Sequence, residues 1–193
     1  YSTTDGGVQW RRASGIGNRY VSELLYDPVD RDRVYAVISG TGMGHVYRSD
    51  DNGASFTNIT GSLPDVPTSA LAVDPQNNNI IYVGNDVGVF VTLNGGELWL
   101  PFNDGLPYAP VVDMEIHKTR RMLVAATHGR SMFEVSIDNP QPQPTLLEPN
   151  GGSPYQSYDT LDIVWAGFNS KPVRVLISYD GGKTFDTIAV NIT

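Results

Sequence analysis

LAVDPQNNNIIYVGNDVGVFVTLNGGELW, residues 71 to 99, states in one run the pattern on which the whole chain is built. It alternates apolar and polar residues, breaks at Asp74-Pro75 and three asparagines, restarts as a β-branched and aromatic run, and breaks again at Asn85-Asp86. Short apolar runs bounded by Gly, Pro, Asn and Asp read as strands joined by tight turns. The stretch closes on a phrase with fixed offsets, Thr92, Asn94, Gly96 and Trp99.

That phrase, S/T-x-D/N-x-G-x-x-W/F, recurs at Thr3, Asp5, Gly7 and Trp10; at Ser49, Asp51, Gly53 and Phe56; and at Ser178, Asp180, Gly182 and Phe185. Trp10, Phe56 and Trp99 follow one another at intervals of 46 and 43 residues, a period that belongs to repeat architectures such as propellers. The residue types have a physical reason. A carboxylate or amide at the third position can accept hydrogen bonds from the amides of its own turn, the glycine supplies positive φ, and the aromatic returns to pack on the sheet. Each phrase is expected to be a hairpin staple, and Asn94, which keeps the acceptor without the charge, fits a structural role.

Two further phrases keep the same step. LLYDPVDRDRVYAV (residues 24 to 37) aligns with LAVDPQNNNIIYVG (71 to 84), placing Asp27 against Asp74 and Tyr35 against Tyr82, and MEIHKTRRMLVAA (114 to 126) is a degenerate third copy. GSLPDVP (61 to 67) pairs with DGLPYAP (104 to 110). The strands expected in the first unit are 22–27, 34–40, 45–50 and 56–60, and in the second 69–74, 80–85, 87–92 and 99–103. The third has 111–117, 122–127 and 132–137, and stops one strand short. Four antiparallel strands at this period are blades of a β-propeller. A blade short of its fourth strand places the ring's closing seam at residue 137, to be completed by a strand from elsewhere in the chain.

Composition narrows the function classes. The 193 residues hold 20 Gly and 13 Pro, no Cys, and a formal net charge of -8. An acidic chain of this kind is unsuited to neutralising phosphates, so nucleic acid is not an expected partner, nor is direct insertion into a membrane. Lack of cysteine excludes a disulfide framework, a thiolate metal site and a cysteine nucleophile. The cluster Asp27, Asp30 and Asp32 lacks the spacing and glycine of an EF-hand loop and is expected to be a solvated turn. Neither a metal nor a cofactor is expected. Asn58 and Asn191 open Asn-Ile-Thr sequons.

The repeated phrases resemble those of the Asp-box, or BNR-repeat, β-propeller proteins, in the branch of the sortilins, two-propeller xyloglucanases and sialidases. Residues 71 to 99 look like a blade of that branch, and LVAATHGRSMFEV (123 to 135) looks like its final blade. The resemblance covers residues 1 to 137 and implies the C-terminal blades of a larger propeller, with upstream blades of the same protein as partners, because three blades cannot close a ring. Residues 138–145 form a proline-rich linker, semi-extended. Residues 146–193 resemble the front half of a bacterial Ig-like module, with PNGG (149 to 152) opening it and LDIVW (161 to 165) as an early core strand. The expected fold class is therefore all-β: propeller blades followed by a partial Ig-like β-sandwich.

In propellers, ligands sit on the face formed by the loops between second and third strands and between blades. Here that face carries His45, Asp86, His128 and Arg130, with Tyr20, Asp65, Asp104 and Tyr108 on the neighbouring loops; His45, Asp86, Tyr108, His128 and Arg130 are the candidate binding residues. None of the phrases is catalytic. In xyloglucanases the acids lie outside the segment this chain resembles, and a sialidase would need an arginine triad where only Arg19 and Arg130 are placed. The expected function is a secreted or surface-associated bacterial scaffold that binds a protein or a polysaccharide. The alternatives are the closing portion of a glycoside hydrolase with its acids elsewhere, and a structural subunit of an envelope assembly.

Overall fold

The computed structural model describes residues 1–149, 160–167 and 173–192, and among them every regular element is a β-strand. The first sheet runs β1 (Val21–Tyr26), β2 (Val34–Ile38), β3 (Val46–Ser49) and β4 (Thr57–Asn58) in chain order, all antiparallel. The second repeats it with β5 (Thr68–Val73), β6 (Ile81–Asn85), β7 (Gly88–Thr92) and β8 (Leu100–Pro101). The third holds β9 (Val111–His117), β10 (Met122–Thr127) and β11 (Ser131–Ser136), with no fourth strand beside β11 among the described residues. Strand order and boundaries follow the expected layout to within a residue or two, and both β1 and β5 open on a bulge at the same repeat position.

The sheets pack face on face, as blades do. One core joins Tyr35, Val37 and Val46 of the first sheet to Leu71, Val73, Ile81, Val83, Phe90 and Trp99 of the second. The other joins Ala70, Ala72, Tyr82, Val89 and Val91 of the second to Val111, Met114, Ile116, Leu123 and Ala125 of the third. The middle sheet is therefore covered on both faces, which is why β6 and β7 are buried along their whole length.

The staples hold their turns by one shared geometry. The hydroxyl at the first position donates to the acceptor at the third, in Ser49–Asp51 at 2.7 Å and Thr92–Asn94 at 2.8 Å, and in turn accepts the glycine amide, from Gly53 at 2.8 Å and Gly96 at 3.0 Å. The third-position oxygen then accepts an amide four residues on, from Ser55, Leu98, Gln9 and Thr184 in the four copies. Gly96 needs its φ of 104°, and a Cβ there would lie 2.8 Å from that of Ile59.

The aromatics do not all pack as expected. Trp99 is 2% exposed, with its indole Nε1 donating to Ile59 O at 3.0 Å, whereas Trp10 is 60% exposed and Phe185 is also open. The difference is in the neighbour. Trp99 lies on the segment that leaves the preceding sheet, bonded both ways to Ser62, while Trp10 has no described sheet on that side and Phe185 sits on a two-stranded ribbon.

A second device ties sheet to sheet. Asp27 accepts from Val29 N, Asp30 N and the Tyr35 hydroxyl within its own sheet, and from Asn78 Nδ2 of the next at 3.1 Å. Asp74 stands at the same repeat position and receives both arms of Arg121, at 2.8 and 2.7 Å, from the third sheet. The turn is solvated as expected at Asp32 and in part at Asp30, but Asp27 is buried: its carboxylate is turned inward to satisfy amides of two sheets.

The proline-rich linker is also less free than its composition implies. Pro140 and Pro142 are buried, and Gln143 N donates to Pro101 O at 2.7 Å, laying the segment along the outer strand of the second sheet. Beyond it, β12 (Thr145–Glu148) pairs with β13 (Val164–Ala166), and β14 (Val173–Ile177) with β15 (Asp186–Ile192), the fourth staple turning between the last two. Most of the PNGG segment lies outside the described residues.

Candidate ligand-binding face

Chain direction settles which groups share an end of the sheets. Inner strands β1, β5 and β9 start at one end; the β2–β3, β6–β7 and β10–β11 turns return to it, and the connections between sheets cross it. The Ser49 and Thr92 staples and the Asp27 and Asp74 turns occupy the other end. Every candidate binding residue therefore lies on the face opposite the structural turns.

On that face the turns are braced by the connections beside them. Gly42 N donates to both oxygens of Asp65 at 2.8 Å, and His45 Nε2 lies 3.1 Å from Asp65 Oδ1. Asp86 N donates to Pro67 O at 3.1 Å and His128 N to Pro110 O at 2.8 Å. Val89 N donates to Asn103 Oδ1 at 2.6 Å, which keeps the β6–β7 turn so close to Asn103 that a Cβ on Gly88 would collide with it. These contacts set the loops in place through backbone atoms and leave most side chains outward.

The five candidates divide accordingly. Asp86, His128 and Arg130 are exposed, and Tyr108 is 89% exposed, the most open large side chain of the face. No hydrogen bond or ion pair joins these four to one another. His45 differs: it is 1% exposed, anchored by Asp65, with Nδ1 unpartnered. The ring is buried beneath the Asp65 connection instead of standing outward. Tyr20 is exposed at the start of β1. Asn58 is exposed on β4, and its Oδ1 accepts from Thr60 N; for Asn191 the side chain lies outside the described residues.

One group was not anticipated. Glu23, on inner strand β1, reaches across to β5, where Oε2 accepts from Leu71 N at 2.6 Å, beside Ser22, whose hydroxyl bonds Val37 O and Thr68 O. Burial, with the nearby Asp113 and Glu115 on β9 adding to it, lifts the Glu23 carboxyl from 4.5 to about 7 against the pull of the Leu71 amide. The repeat register puts Glu23, Ala70 and Asp113 at one position of three successive inner strands, which does not mark Glu23 as covered by its neighbour. Among the described residues no three acidic or histidine side chains are placed to hold a metal ion.

No family model matches the chain. It is 32% identical over 111 residues to a xyloglucanase of Hypocrea jecorina (strain QM6a), a match that takes in 51% of this chain and 12% of that protein. Among solved structures, it is similar to an ancestral GH74 enzyme with a TM-score of 0.50 and 26% identity, over 58% of this chain and 14% of that one. The GH74 xyloglucanase of Xanthomonas campestris aligns with a TM-score of 0.45 and 16% identity, over 59% of this chain and 22% of its own. The chain thus spans about an eighth of the curated relative it matches. The fold is all-β, with sheets like those of GH74 β-propellers, and the similarity is to a region of a β-propeller-type glycoside hydrolase.

Proposed function

We propose that this chain forms part of an extracellular β-propeller, of the Asp-box kind, that binds a polysaccharide of the xyloglucan class through the loop face opposite the staples. The observation that carries the reading is the combination on that face of an almost fully exposed tyrosine, Tyr108, with the exposed polar groups of Asp86, His128 and Arg130. Sugar rings present flat apolar faces edged by hydroxyls, and an open aromatic flanked by charged hydrogen-bonding groups suits both features. The similarity to a xyloglucanase supports the choice of ligand class. In this reading the ribbons from residue 146 onward belong to an Ig-like spacer, and further blades of the same protein extend the propeller.

Affinity electrophoresis in gels containing xyloglucan, mixed-linkage β-glucan or no polysaccharide tests it. Retardation by xyloglucan that is lost in Tyr108→Ala and weakened in Arg130→Ala is expected; equal migration of all three proteins in all gels contradicts it. A second reading is favoured by the same relative: the chain as the closing portion of a glycoside hydrolase whose paired carboxylates stand on other blades. Release of reducing sugar by this chain alone, abolished by changing an acid within residues 1–137, would contradict both readings.

A further inference from the structure

Among the described residues β5 has a paired neighbour, β6, on one side only, so the main-chain groups of its other edge must be satisfied by other means. Two side chains of β1 supply them. The Ser22 hydroxyl lies 3.0 Å from Thr68 O, and Glu23 Oε2 accepts from Leu71 N at 2.6 Å. The inner strands of the first and second sheets are thus joined through a carboxyl group where a ladder of backbone bonds would otherwise be needed. The repeat does not continue this device, since Ala70 on β5 stands where β1 carries Glu23 and has no group to extend toward β9.

Beside the junction lies a cavity of about 300 Å³, walled by Leu25, Leu71, Met114 and Ile116 of the three successive inner strands. Its ionisable groups are mostly of one sign. From the first sheet come Glu23, Tyr26 and Asp27, the last already committed to turn amides and to the hydroxyl of Tyr35, the one ionisable group of β2. β5 carries none. From the third sheet come Glu115 and, beyond the end of β9, the exposed Lys118, while Asp113 also acts on Glu23. An ionised Glu23 has one amide in its favour, against half-burial among apolar walls and two like charges from β9, and the balance holds the carboxyl at about 7.

We propose that Glu23 is a proton-operated clasp between the first two sheets: protonated, it lies over the edge of β5 and closes the cavity; ionised, with its proton passed to water, it swings out to solvent, frees the Leu71 amide and opens the junction. A carboxyl that titrates near 4.5 once exposed and about 7 when closed in makes opening grow as pH rises between those two values and level off above them. The clasp is a local device of the inner strands and does not depend on what the loop face binds.

Hydrogen exchange of the Leu71 amide in the 193-residue chain, followed by NMR and corrected for the base-catalysed exchange of a free amide, tests it. Protection of Leu71 should fall at least about tenfold between pH 5 and pH 7.5. Sub-denaturing urea should leave that exchange unchanged, as it does for local opening. In Glu23→Gln, which cannot ionise, protection should be the same at both pH values. Should that variant misfold, the carbon-13 signal of the Glu23 carboxyl in the unaltered protein decides, since it must titrate between pH 5 and pH 7.5 together with the loss of protection. Protection that does not change with pH, a fall shared by folded Glu23→Gln, urea-dependent exchange matching that of the β6 amides, or a Glu23 already ionised at pH 5 overturns the proposal.

Discussion

Asp51 shows how much one exposed carboxylate does when its lone pairs meet the right donors. Hydrogen bonds from the Ser55 hydroxyl and amide, and from Ser49, hold it at about 2, below its ordinary 3.8, and Asp180 is held at about 2 by Thr184 and Ser178 in the same way. A folded value below the unfolded one means that the stabilisation is present above pH 3.8 and is lost as pH falls toward 2. Asp51→Ala should therefore melt below the unaltered protein at pH 6, with the gap closing in thermal melts toward pH 2; a gap that stays constant removes the charge from the account. Asp51→Asn should keep most of the stability, because Asn94 makes the same bonds without a charge. Glu23 carries the opposite sign. Its value of about 7 lies above 4.5, so its contribution is complete below pH 4.5 and disappears as pH rises through 7. The difference in melting temperature between the unaltered protein and Glu23→Gln should accordingly change between pH 4.5 and 7.5 and be flat below that range. The staple residues were legible as a repeated phrase; Glu23 was not, because a single acid in an alternating strand carries no mark of the neighbouring sheet that buries it.

At the scale of elements, a carboxylate ties each sheet to the next, and between the first two sheets Trp99 adds an aromatic. The Asp74–Arg121 pair is bidentate, and the Asp74 side chain is 1% exposed. Burial raises the carboxyl, but the guanidinium and the Gln76 amide outweigh it and keep Asp74 ionised. Removing one partner leaves a buried charge alone, so Arg121→Met should cost about 3 kcal/mol or more in chemical denaturation, whereas replacing both partners with apolar residues should cost less. A single-partner loss below about 1 kcal/mol would show that the pair does not join the sheets. Trp99→Ala removes a buried indole from the core between the first two sheets and should cost about 3–5 kcal/mol. Phe185→Ala should cost little, since that ring is exposed. The strands themselves were legible from alternation and turn residues. The latches were not, although Asp27 and Asp74 were aligned, because Asn78 and Arg121 are different residues and only the stacking of sheets brings each beneath the preceding aspartate.

Across the whole molecule, structural turns and open loops lie at opposite ends of the sheets, so their perturbations should separate. Tyr108→Ala and Arg130→Ala are expected to leave the melting temperature within about a degree, as exposed substitutions do, while reducing retention on xyloglucan; variants in the staples should do the reverse. Loss of stability in Tyr108→Ala would show that the side chain is part of the scaffold. By itself the sequence determined the all-β class, the repeat and the strand boundaries, because period-two alternation, turn residues and a recurring staple are local and are written within a few residues of where they act. Only the tertiary structure decided that His45 turns inward, that Asp27 is buried, and that the prolines after residue 137 lie along the second sheet. Each of those depends on what a distant stretch of chain places against the group, Asp65 beside His45, Asn78 of the second sheet beside Asp27 and Pro101 beside Gln143, and partners at such separations leave no periodic mark in the sequence.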